Sequence, residues 1–169
     1  SKLRGMFAFA LYDAERSVTH LVRDTTGIKP LYYLIKDDSL FFASEIKPLK
    51  TAGIAIEPEF SWQIRFLAYG NIPDPYTTLK NVYSLAKGHV LSWHHSGGTY
   101  EISTYNNDFT SERDYIKDIA IAKDCISNTL KMAVKRQLIA DAPIGVFLSG
   151  GIDSSLLSLI ANELHPHLQ

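Results

Sequence analysis

With 169 residues, 46% hydrophobic content and a formal net charge of −1, the chain has the make-up of a globular protein and no bulk field that would draw nucleic acid or an anionic membrane to it. Its one cysteine, Cys125, excludes an internal disulfide framework and paired-cysteine metal spacing, and accords with a reducing, cytoplasmic setting. No apolar run approaches the roughly 20 residues needed to span a bilayer, and the opening "SKLRGMFAF" has neither the apolar length nor the cleavage site of a signal peptide.

Four aromatic and β-branched runs, "GMFAFALYD", "VTHLVRD", "PLYYLIKDD" and "SLFFASEI", follow one another from Gly5 to Ile46, separated by turn residues. They predict a meander of antiparallel strands. In the link "RDTTGIKP", Asp24 and Thr25 can bond local backbone, Gly27 can take a positive φ and Pro30 presets the exit, so Arg23, Asp24 and Gly27 read as turn architecture and not as catalysts. "KDDS", at Lys36 to Ser39, predicts a hairpin connection. A short helix is expected over Glu45 to Ala52, and a second in "SWQIRFLAYG", where Trp62, Phe66 and Tyr69 recur at helical spacing before a Gly70 cap. "NIPDPYTTLKN" is proline-rich and must be irregular, whereas "GHVLSW" and "TYEIST", joined by "HHSGG", predict one more hairpin. The β character ends near Tyr105.

The polar stretch "NNDFTSERD" reads as a linker, with Thr110 or Ser111 as a helix N-cap, and divides residues 1–107 from 108–169. Beyond it, Ile116, Ile119, Ile126, Leu130, Ala133 and Val134 predict a long amphipathic helix ended by Pro143, with Cys125 as a small buried thiol on its apolar side. An apolar strand, "IGVFL", then a glycine turn and a further helix would form the start of a parallel α/β unit. The chain opens on Ser1 and stops at Gln169 within that last helix, which is the expectation for an internal segment of a longer protein.

The turn itself, "GVFLSGGIDSS", carries the chemistry. A strand that feeds a helix through glycines leaves the first helical N–H groups unpaired at the positive end of the helix dipole, which makes an anion site. Gly150 and Gly151 permit close backbone approach, and Ser149, Ser154 and Ser155 add hydroxyl donors. Neither GxxxxGK[ST] nor GxGxxG is present. The bland alternative is a plain turn with Asp153 as a helix N-cap, worth about 1 kcal/mol and no chemistry.

The whole string "SGGIDSS" after "APIGVFL" resembles the pyrophosphate-binding loop, usually written SGGxDS, of ATP-dependent amide-forming enzymes. "LRGMFAFALYD", "RDTTGIKPLYY", "FASEIKPL" and "LAKGHVLSW" extend the likeness, in order, to glutamine-hydrolysing asparagine synthetase along nearly the whole chain. The resemblance implies an incomplete α+β, antiparallel, N-terminal-nucleophile glutaminase part at 1–107, then the start of a parallel α/β ATP-pyrophosphatase domain at 108–169. The implied reaction turns aspartate, glutamine and ATP into asparagine, glutamate, AMP and pyrophosphate through an aspartyl adenylate. It assigns ATP and pyrophosphate to Phe147, Leu148, Ser149, Gly150, Gly151, Asp153, Ser154 and Ser155, with Asp153 also holding Mg²⁺ against the pyrophosphate. Phe147 stands where the family usually has leucine, and Ala86 and Lys87 replace two prolines.

The partners so implied are small molecules, with no nucleic acid and no membrane, and room for a homodimer of the full-length protein. No catalytic residue is expected in this segment: the family's cysteine nucleophile and glutamine pocket lie upstream by register, which places Ser1 deep within the domain and makes it a poor candidate nucleophile. His94 and His95 lack a third ligand nearby and read as a solvated hairpin tip. Three alternatives stand beside the synthetase: a relative that aminates a sugar or closes a lactam, an enzyme that pairs the loop with other chemistry such as GMP or NAD synthetase or a tRNA-thiolating enzyme, and a non-catalytic nucleotide-binding fragment. The β-rich first half argues against the second.

Overall fold

The computed structural model describes residues 3–105, 115–166 and 168. The chain divides into two compact units, Ser1–Ser111 and Glu112–Gln169.

In the first unit, the predicted runs form β1 (Ala8–Asp13), β2 (Val18–Arg23), β3 (Tyr32–Lys36) and β4 (Ser39–Ala43), and the later pair forms β6 (His89–His94) and β7 (Thr99–Thr104). A short strand, β5 (Val82–Ser84), lies between them and escaped the sequence reading. The strands do not make one meander. They form a four-stranded sheet in the order β1-β2-β6-β7 and a three-stranded sheet in the order β4-β3-β5, with every pairing antiparallel. The chain changes sheets at the turn after β2, so β2 pairs with β6 rather than with β3. The β3–β4 connection is the expected tight hairpin: Asp37 and Asp38 both take positive φ, 48° and 54°, as a two-residue turn of the twist-matched type requires.

Two apolar clusters fill this unit. Leu21 of β2 and Leu91 and Trp93 of β6 meet Tyr33 of β3, together with Leu31 and Leu85, between the two sheets. On the opposite face of the smaller sheet, Leu34 of β3 and Val82 of β5 pack with Leu49 and Leu79, where Leu49 belongs to helix α1 (Ile46–Thr51). The alternation of side chains along a strand explains how adjacent Tyr33 and Leu34 serve different clusters. Helix α2 (Trp62–Tyr69) ends at Gly70 in the left-handed region, as predicted, but none of its residues is fully buried, and Phe66 and Tyr69 are exposed.

The second unit holds α3 (Ile119–Gln137) and α4 (Ile152–Leu164), joined side to side by Lys131 Nζ and Glu163 Oε1 at 2.8 Å. Asp118 caps α3, its carboxylate accepting from the amides of Ala120 and Ile121; the anticipated caps Thr110 and Ser111 lie outside the described residues. The helix stops at Gln137, before Pro143, so the proline is not its terminator. Cys125 is exposed, contrary to expectation, because α3 has no fully buried residue: α4 covers too little of its apolar face. "IGVFL" is not a strand. A parallel strand exists only when hydrogen-bonded to a neighbour, and among the described residues nothing pairs with Ile144–Leu148. Among the same residues no helix is long and apolar enough to cross a membrane.

Candidate functional site

The glycine turn opens α4. Gly150 has φ +80°, a conformation that an L side chain rarely adopts, and Gly151 returns to extended angles as the N-cap. The first helical bond runs from the Ser155 amide to the Gly151 carbonyl at 3.0 Å. The amides of Ile152, Asp153 and Ser154 precede it and have no acceptor among the described residues. These are the unpaired donors that an anion site at a helix start requires.

Every residue assigned to the loop lies in this continuous segment. Phe147 is fully exposed, at 100%, and Leu148, Ser149, Gly150, Gly151 and Asp153 are also open to solvent, while Ser154 and Ser155 are half-buried. Asp153 is not the N-cap, as the bland reading had it; that position belongs to Gly151, and Asp153 sits in the first turn. Its carboxylate accepts no hydrogen bond and forms no ion pair among the described residues. The hydroxyls are partly committed: Ser149 Oγ and Ser154 Oγ lie 2.9 Å apart, and Ser154 Oγ donates to the Gly151 carbonyl at 3.0 Å. A Cβ on Gly151 would stand 3.6 Å from Ser149 Oγ and 3.9 Å from Ser154 Oγ, filling the space between them, whereas one on Gly150 would meet nothing within 4 Å.

This donor set fits a polyphosphate with its cation. The unpaired amides and the serine hydroxyls stand at the solvent-open start of α4, and the unpartnered carboxylate is repelled by a bare anion but suited to a Mg²⁺ shared with phosphate oxygens.

The turn after β2 is architecture, as predicted. Asp24 is completely buried, at 0% exposure, and its carboxylate accepts from the amides of Thr26, Ile28 and Lys29 and from the Thr26 hydroxyl at 2.8–3.1 Å. Burial pushes this carboxyl up, but the four hydrogen bonds outweigh it and hold its pKa at about 2, below the ordinary 3.8. The Arg23 guanidinium donates to the carbonyls of Gly27, Lys29 and Leu85 and to Ser84 Oγ. Gly27 takes the anticipated positive φ, +71°. Thr26, not Thr25, supplies the side-chain bond. Tyr105 closes the region with a bond from its hydroxyl to the Arg23 carbonyl at 2.7 Å.

His95 bonds Thr19 through Nε2 at 2.9 Å and stands edge-on to Tyr12; no group of three or more His, Cys, Asp or Glu that could hold a metal occurs among the described residues. Ser1 lies outside them. A feature that the sequence reading missed is a cavity of about 240 Å³ lined by Glu59, Arg65, Tyr76, Lys80, Asn81 and Tyr83, among others. Arg65, the one charged residue of α2, was the signal for it.

Comparison with known proteins gives two family matches: a glutamine amidotransferase domain over residues 1–106 and asparagine synthase over 126–169. The chain is 34% identical, over its whole length, to the glutamine-hydrolysing asparagine synthetase 1 of Bacillus subtilis, of which it covers 26%. Over 95% of its length it is 33% identical to the glutamine-hydrolysing asparagine synthetase B of Escherichia coli, covering 24% of that protein. Over 97% it is 33% identical to amidase chry2 of Gibberella zeae, again covering 24%. The chain thus spans about a quarter of the length of these relatives.

Proposed function

Since the chain belongs to the glutamine amidotransferase domain family, we propose that it carries part of a glutamine-hydrolysing asparagine synthetase, converting aspartate, glutamine and ATP to asparagine, glutamate, AMP and pyrophosphate. The boundary between its glutaminase part and its ATP-pyrophosphatase part falls after residue 107.

The observation that carries this reading is the opening of α4, where Gly150 at φ +80° and Gly151 as N-cap leave the amides of Ile152, Asp153 and Ser154 unpaired. Aspartate displaces pyrophosphate from the α-phosphorus of ATP, so negative charge gathers on the leaving group; fixed amides and the helix dipole stabilise charge where it forms. Main-chain groups of Phe147 and Leu148 would lie against the nucleotide, Ser149, Ser154 and Ser155 would face the phosphates, and Asp153 would hold Mg²⁺. When bound there, Mg²⁺ would supply positive charge to the pyrophosphate leaving group. A different acceptor is the second reading, supported by the similarity to a protein named as an amidase, chry2.

Titration of ATP–Mg²⁺ into the chain tests the loop directly. The expected result is saturable broadening of the amide signals of Gly150 to Ser155, competed by pyrophosphate; unchanged signals at millimolar ATP would remove the assignment.

A further inference from the structure

The cavity beside α2 holds an arginine whose charge is not answered directly. The Arg65 guanidinium carbon lies over the Tyr76 ring, 3.9 Å from its centroid, and one nitrogen, Nη1, donates to Ser61 Oγ at 2.6 Å. It forms no ion pair among the described residues. The ring contact and the Ser61 bond hold the fork in place, and a held fork with free N–H donors is pre-organised for a carboxylate. The Ser61 hydroxyl in turn donates to Glu59 Oε1 at 2.8 Å, so a carboxylate stands one hydroxyl away from the guanidinium on the same cavity wall. The Ser61 bonds, together with the nearby Arg65 and Lys80 charges, hold the Glu59 carboxyl below its ordinary range, so it is ionised at neutral pH.

The other lining cation, Lys80, is engaged by Glu57 at 2.8 Å. The cavity therefore offers one free cationic fork beside one anion, with Tyr76 and Tyr83 as aromatic walls. A phosphate dianion would meet Arg65 but be repelled by the nearby Glu59 carboxylate more strongly than a monoanion is. A simple carboxylate would bind Arg65 but be repelled by the nearby Glu59 carboxylate and gain no bond from it.

We propose that this cavity binds a small free α-amino acid, its carboxylate on Arg65 and its ammonium toward Glu59. The size agrees, since a volume of about 240 Å³ admits a molecule of few heavy atoms. The inference uses residues 59–83 alone and is independent of the glycine loop.

The test is a titration of glycine, L-alanine and L-glutamine into the chain with nitrogen-15-labelled arginine, with acetate, methylammonium and inorganic phosphate as comparators. The expected outcome is a saturable shift of the Arg65 side-chain signal with an amino acid at millimolar concentration, and binding of acetate about tenfold weaker or more. Glu59→Gln should reduce the amino acid to the affinity of acetate. Arg65→Lys, which keeps the charge but loses the fork, should weaken both by about tenfold when binding is followed by calorimetric titration, with tryptophan fluorescence reporting an intact fold. Acetate or phosphate binding as tightly as the amino acids and insensitive to Glu59→Gln would overturn the proposal, as would an Arg65 signal that no amino acid moves.

Discussion

The Asp24 carboxylate holds the Lys29 amide at 3.0 Å, so that a side chain at the end of β2 dictates the path of the chain into the second sheet. The same residue donates its own amide to the Phe7 carbonyl and accepts the Gly88 amide on its carbonyl. Three separate segments thus converge on one buried residue.

Asp24→Asn is expected to destabilise the first unit, because a neutral amide accepts these bonds less strongly and brings two donors that find no acceptor. Lowering of the Asp24 pKa from 3.8 to about 2 corresponds to about 2 kcal/mol of stability. The sign follows from a depressed carboxyl: this stability is complete above the unfolded pKa of 3.8 and is lost as pH falls through about 2. Denaturant midpoints from pH 6 to pH 2 should therefore show an acid-dependent loss that the asparagine variant lacks.

Gly27→Ala should cost about 1–2 kcal/mol by urea unfolding. Its φ of +71° disfavours a side chain, and the added Cβ would stand 3.0 Å from Lys87 Cβ and 3.4 Å from Arg23 Nη2. Lys87→Gly in the same background should recover the steric part only. Full recovery would mean that the left-handed backbone is not strained.

Gly151→Val separates the function of the α4 loop from its stability. Gly151 has extended angles and ordinary van der Waals room for a Cβ, so the fold should lose about 1 kcal/mol or less. In a full-length enzyme carrying this segment, ATP-dependent pyrophosphate release should nevertheless fall by about a hundredfold, with glutamine hydrolysis near normal. Asp153→Asn should give the same split and raise the Mg²⁺ requirement. Pyrophosphate release at the wild-type rate in both variants would return the loop to a plain turn.

Cys125, exposed on α3, should react with a maleimide in the folded chain about as fast as in the urea-unfolded chain, within roughly tenfold at equal pH. Protection of a hundredfold or more would show that this side of α3 is covered.

The parts legible in the sequence were those set by neighbours along the chain. Asp37-Asp38 declared its turn, the run around Gly70 its helix end, and the order of glycines and hydroxyls in "SGGIDSS" its loop. What was not legible depends on partners distant in sequence. The switch of sheets after β2 rests on β6, some 70 residues later, and β5, with only three residues, has no period of its own. "IGVFL" has the composition of a strand but no strand beside it, and the buried site expected for Cys125 needed more cover than α4 provides. The pairing of Arg65 with Tyr76 joins a helix to a proline-rich turn, which no local pattern announces.

Because β3 sits between β4 and β5 and loads both of its faces, Tyr33 into one cluster and Leu34 into the other, the layer between the sheets cannot melt while the layer against α1 stays intact. Loosening at either face releases the same strand from the other. The first unit should therefore open as one cooperative block, and the β3 amides should be among its slowest to exchange with deuterium, at a rate set by global and not local opening. Shaving Leu34 to alanine should accelerate exchange in β2 and β6, strands that it never touches through its own cluster.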